Sequence, residues 1–183
     1  MIKKYCKNII VVLLAFLMFS CANQKVANQQ NQPQAEEMLI GQFTESNLKE
    51  NKYATWYLPE YNEYIVETKK LNDVKGAIND FEIETFMGTW CGDSKREVPR
   101  LYKILEAVDY PTQKMKIYGV NRQKKTKNGE EIGKNISHVP TIIFYKNGKE
   151  VGRIIESPVT GYLEEDIAMI IKGTPLMPNY AEN

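Results

Sequence analysis

Cysteine is scarce in this chain, with three residues in 183: Cys6, Cys21 and Cys91. A scaffold stapled by several disulfides is therefore excluded. Histidine is scarcer still, and His138 stands alone. With Cys6 removed in a leader and Cys21 lipidated, as argued below, one thiol and one histidine are left, too few for a zinc or iron–sulfur site, so no metal and no cofactor is expected. Excess charge is missing too. The formal net charge is +1, which favours no nucleic-acid partner. Long apolar runs are absent: the stretch 9–19 has 11 residues, too short to cross a bilayer comfortably. What remains is ordinary globular composition, 43% hydrophobic and 26% charged, enough for one packed core.

Lys3, Lys4 and Lys7 precede the short apolar run, the pattern of a signal peptide. The run closes in Leu17-Met18-Phe19-Ser20-Cys21. A small residue followed by cysteine at that place resembles a bacterial lipoprotein cleavage site. It implies a lipoprotein signal peptide over 1–20, a lipid on Cys21 and a protein anchored in the cell envelope. A plain secretory signal and a short N-terminal anchor are the alternatives, and all three place the body outside the cytoplasm. Residues 21–37 are polar, rich in Gln and Asn, and lack apolar periodicity. Such a stretch buries too little to offset ordering entropy and reads as a flexible tether. The folded domain is expected over 38–183.

Within it, Met38 to Phe43 reads as a short strand, and Thr44 or Ser46 caps a short helix. Tyr53, Trp56, Tyr57, Tyr61 and Tyr64 recur at spacings that suggest the buried stripe of a helix starting near Pro59, rather than a ligand surface. Leu71, Val74 and Ile78 continue as helix. Phe81 to Met87 is a central strand. A helix follows from Gly92 to about Val108, with Val98, Leu101, Ile104, Leu105 and Val108 inward and Pro99 inside it. Lys116 to Val120 is the next strand. The loop 121–134 carries Arg122, Lys124, Lys125, Lys127 and Lys134, the composition of a solvated surface or of a patch for an acidic partner. Ile142–Tyr145 and Glu150–Ile155 are strands joined by an Asn147-Gly148 hairpin turn. A last helix spans Tyr162 to Lys172 and ends at Gly173. The order β-α-β-α-β-β-α fits an α/β fold, a central mixed sheet with helices on both faces.

The stretch Thr89-Trp90-Cys91-Gly92-Asp93-Ser94-Lys95 joins the central strand to its helix. A cysteine there lies at a helix N-terminus, where unpaired N–H groups and a partial positive charge favour thiolate chemistry. Trp90-Cys91-Gly92, with Lys95 and Pro99 at set distances after the cysteine, and Val139-Pro140-Thr141 farther on, together resemble the thioredoxin superfamily. The resemblance covers about 82–172. It implies a thioredoxin-like fold and a cis Val139–Pro140 bond facing Cys91. It also implies that Trp90 lines the contact surface, with plain core packing as the alternative, and that Val139 offers its backbone to an extended client. Two departures matter. The motif's second cysteine is Ser94, and the position of the family's buried acid is Thr85.

With Cys6 removed and Cys21 lipidated, Cys91 is the one free thiol, and no intramolecular disulfide can form. The expected chemistry is monothiol thiol–disulfide exchange. Cys91 attacks a client-protein or small-molecule disulfide, and an external thiol resolves the product. Ser94 is expected to hydrogen-bond the thiolate, Lys95 to add positive charge and Asp93 to oppose it. His138 is either a base near Cys91 or a solvent-facing loop residue. Partners are disulfide clients, a resolving thiol and the membrane through the lipid. The alternative is a redox-inactive thioredoxin-fold binding or chaperone-like module of the envelope. A third reading, a thiol peroxidase using Cys91, is disfavoured by pocket type, because Met87-Gly88-Thr89-Trp90 precedes Cys91 where a Pro-x-x-x-Thr-x-x pattern is expected.

Overall fold

Strand β2, Glu82–Met87, is the centre of a five-stranded sheet. β1 is Gly41–Phe43, β3 is Lys116–Gly119, β4 is Thr141–Lys146 and β5 is Lys149–Ile155, in the spatial order β1-β3-β2-β4-β5. β3 runs parallel to β2, whereas β4, β5 and β1 each run antiparallel to the neighbour they join. The computed structural model describes residues 37–181. The signal peptide expected over 1–20, the expected lipid site Cys21 and all but the last residue of the expected tether 21–37 lie outside them.

β-branched and aromatic residues make β4 a natural central strand. Its hairpin to β5 turns on Asn147 (φ 53°) and Gly148 (φ 73°), both in the left-handed region that a tight two-residue turn needs. The period of two then separates two clusters. Ile83, Met87, Ile117, Ile142, Phe144 and Ile154 point to one face. Phe86, Tyr118 and Ile143 point to the other.

Four helices flank the sheet: α1 Glu45–Leu48, α2 Asn51–Glu63, α3 Gly92–Ala107 and α4 Leu163–Ile171. Thr44 caps α1 in a reciprocal box with Asn47. α2 starts at Asn51, a full two turns before Pro59, which lies inside it. Burial of Tyr53 and Tyr57 outweighs the N–H that proline withholds. Trp56, Tyr61 and Tyr64 pack on the same cluster, so the aromatic stripe is core. Leu71, Val74 and Ile78 are buried as expected, but not in an α-helix. The chain there makes short 3-10 turns, Thr68–Lys70 and Ala77–Asp80, and Gly76 at φ 91° breaks the helical path between them.

The mixed sheet and flanking helices expected from the resemblance are present. Their distribution is lopsided. Buried residues of all four helices join the cluster with Ile83 and Phe144. The opposite face is covered by residues 120–139, which hold turns and, among the described residues, no regular helix. That segment is polar and passes through Gly129 (φ 84°) and Gly133 (φ 77°), so it offers no apolar stripe for a helix to bury.

Candidate active site

β2 delivers the chain to the sulfur through one tight turn. The Cys91 N–H donates to the Gly88 carbonyl at 2.9 Å, and the Lys95 N–H donates to the Cys91 carbonyl at 3.0 Å. Cys91 is thereby the N-cap of α3, with φ −90° and ψ 130°. Gly88 is required by packing: a Cβ there would stand 2.6 Å from the Trp90 ring. The Trp90 indole N–H donates to the Val120 carbonyl at 3.0 Å. The Arg122 guanidinium lies over the same ring, 5.0 Å from its centre.

Cys91 is half-buried, and its S–H donates to the Val139 carbonyl at 3.1 Å. The Val139–Pro140 bond is cis. Four of the anticipated residues, Trp90, Cys91, Val139 and Pro140, therefore meet at one end of the sheet, on the face without helices.

The flanking residues are placed differently from expectation. Ser94 is wholly buried, and its Oγ accepts the Gly88 N–H at 3.2 Å. It ties the site turn to α3, and among the described residues it makes no hydrogen bond to Cys91. Asp93 is ion-paired with Arg96 at 2.8 Å, and the Lys95 ammonium sits over the Trp56 ring at 5.9 Å. His138 is half-buried, and among the described residues it makes no hydrogen bond to Cys91. Its ring stacks on Tyr180 at 3.8 Å, and its Nδ1 lies 3.1 Å from the Ser137 hydroxyl. Thr85 is fully buried, with its hydroxyl 3.5 Å from the Met115 sulfur, so no titratable group stands there.

Glu97 was not anticipated. It is buried on α3 and paired with Arg96 at 2.6 Å. Burial pushes its carboxyl up, against the pull of Arg96 and Arg100. Its spacing from Ser94 and Leu101 marks it for the inward stripe, and that pattern was the available signal. Tyr180 had none, because the tail that carries it has no periodicity. The basic loop is partly paired within the fold, Lys134 with Glu84 and Lys125 with Glu131. No group of three potential metal ligands occurs among the described residues, and none of their helices is long and apolar enough to cross a membrane.

Residues 63–169 match the thioredoxin family. The chain is 32% identical over 107 residues to a thioredoxin-like protein of Acanthamoeba polyphaga mimivirus, covering 56% of this chain and 74% of that one. It is 34% identical over 94 residues to thioredoxin-1 of Saccharomyces cerevisiae, covering 50% and 84%. Among solved structures, the oxidized form of mitochondrial thioredoxin 3 from Saccharomyces cerevisiae is 27% identical, with a TM-score of 0.31, covering 52% of this chain and 86% of that one.

Proposed function

Because the chain belongs to the thioredoxin family, we propose that it exchanges disulfides through a single thiol, Cys91, outside the cytoplasm. The contact between Cys91 Sγ and the Val139 carbonyl carries the reading. It puts the only cysteine of the described residues at a helix N-terminus, half-exposed, against the loop that would align a client.

In the first step Cys91 gives up its proton to solvent and its thiolate attacks one sulfur of a client disulfide. The Cys91–client bond forms, the client S–S bond breaks, and the second client sulfur leaves as a thiolate that takes up a proton. In the second step an external thiol attacks the mixed disulfide and returns Cys91 to the thiol. Reduction of a client consumes two external thiols, which leave as one disulfide. Ser94 holds the turn that presents the sulfur, and Trp90 with Val139 and Pro140 walls the site. The run 1–20 and the string ending at Cys21 support a lipid-anchored protein of the cell envelope, with 21–37 as tether and 38–183 as the working domain.

The test is trapping. Incubated with a peptide disulfide, the protein should form a Cys91-linked adduct seen by mass spectrometry and released by added thiol. Cys91→Ser should form none. A second reading, a redox-inactive binding module, is favoured by the half-buried S–H whose proton already has a carbonyl partner. An unmodified protein that yields no adduct would support that reading and end the first.

A further inference from the structure

Beyond α4 the chain does not leave the fold. Gly173 (φ 79°) turns it back, and Pro175 passes close over Gly152 of β5, where a Cβ would stand 3.1 Å from the proline. Gly152 pairs with Phe144, so this crossing starts on the helical face. Pro178 and Tyr180 then lie with Arg153 and Ile155, whose alternation puts them on the other face. The tail thus straps the outer edge of the sheet and ends at the site.

Its end is fastened by specific contacts. The Asn179 amide donates to the Ser157 carbonyl at 3.0 Å. The Tyr180 hydroxyl donates to the Glu156 carboxylate, and the Glu156 N–H donates to the Pro140 carbonyl at 2.7 Å. The Tyr180 ring stacks on His138, which precedes Val139. These links close a ring that runs from the tail to the carbonyl facing Cys91. Beside these links lies a half-open cavity of about 720 Å³, lined by Ser137, His138, Arg153, Ile155, Pro178 and Tyr180 among others.

We propose that this strap-built cavity is a client subsite, and that it makes the protein selective for polypeptide disulfides over small ones. The proposal rests on Cys91 exchange and names its substrate class. The cavity has the size of a ligand site. Neither Cys91 nor Val139 lines it, so a two-carbon disulfide held at Cys91 has no chain to place there. An extended polypeptide running past Val139 has one. The lining fits such a chain: Ser137, His138 and Arg153 bind backbone and polar side chains, while Ile155, Pro178 and the exposed Tyr180 ring take apolar ones. Tyr180 is a positioning and specificity residue here, not a catalytic one.

The experiment compares two disulfides, a peptide with a mixed disulfide at mid-chain and bis(2-hydroxyethyl) disulfide, on the full chain. Tyr180→Ala should slow adduct formation with the peptide roughly tenfold, through a weaker KM, and leave the small disulfide unchanged. Tyr180→Phe, which keeps the ring but loses the Glu156 bond, should lie between. Equal loss on both disulfides would mean the tail only supports the loop, and no loss on either would mean it only covers β5; each overturns the subsite. A second readout avoids the thiol: binding of a cysteine-blocked unfolded polypeptide to Cys91→Ser, followed by anisotropy. Binding weakened by Tyr180→Ala upholds the subsite even if Cys91 proves inert, whereas binding indifferent to Tyr180 rejects it.

Discussion

The two faces of the sheet are made of different materials. The helical face is one continuous apolar cluster, fed by every helix and edged with tyrosines whose hydroxyls reach carboxylates: Tyr57 to Glu45, Tyr61 to Glu106, Tyr64 to Glu164. The other face has a small cluster, Phe86, Tyr118, Val120, Val139 and Ile143, with ionic margins such as Lys134–Glu84 and Arg153–Glu150. The site sits on the thinner side for a physical reason. A helix consumes its own carbonyls in its ladder, whereas a segment of turns has carbonyls to spare. Val139 spends one on Cys91 and Val120 spends one on Trp90.

The contrast makes the helical face the seat of stability, and the largest expected effect is alkaline. Burial is the main cause that raises Tyr57, Tyr102 and Tyr110, the last to about 12. In the unfolded chain these groups ionise near ~10. Above that pH the folded state keeps protons the unfolded state has lost, so stability is full below ~10 and falls as pH rises toward the folded values. Each protected tyrosine should cost about 1.4 kcal/mol per pH unit, and denaturant midpoints between pH 9 and 12 should collapse accordingly. A flat profile would remove the contrast.

Core truncation comes next. Leu101→Ala on α3 should cost about 3 kcal/mol, and Ile136→Ala on the half-buried site segment under about 1 kcal/mol; urea midpoints decide. Equal costs would show that both faces bear the fold alike. Trp90→Phe, which strands the Val120 carbonyl, should cost about 1 kcal/mol by the same measurement. Cys91→Ser is the sharpest case. It should move stability by no more than about 0.5 kcal/mol while ending adduct formation completely. A large loss of stability would make the thiol a packing residue first.

Much of this was legible in the residues. Strand β2, helix α3 and the Asn147-Gly148 hairpin carry strong local signals, because their periods and turn residues agree with their packing. The juxtaposition of Trp90, Cys91, Val139 and Pro140 followed from the motif resemblance. Pro59 misled, since a breaker in a well-packed stripe yields to burial. Leu71, Val74 and Ile78 have helical spacing, but one glycine at positive φ redirected the path. The one-sided placement of the helices was hidden, because composition says which residues are inward and not which face they meet. Helical spacing suggests a role at the sulfur for Ser94, and being the lone histidine of the sequence suggests one for His138. Their partners, Gly88 and Tyr180, are set by turn geometry and by a tail contact distant in sequence.

The direction of β1 reaches beyond packing. Because β1 is antiparallel to β3, Gly41 stands opposite Gly119, at the end of the sheet where the thiol lies. The Leu39 N–H donates to the Thr89 hydroxyl at 3.4 Å, and Gly119 has no room for a side chain under the Leu39 carbonyl. The upstream chain therefore departs from the doorstep of Cys91, not from the far pole of the domain. Whatever is joined to the domain at residue 37 therefore enters beside the thiol.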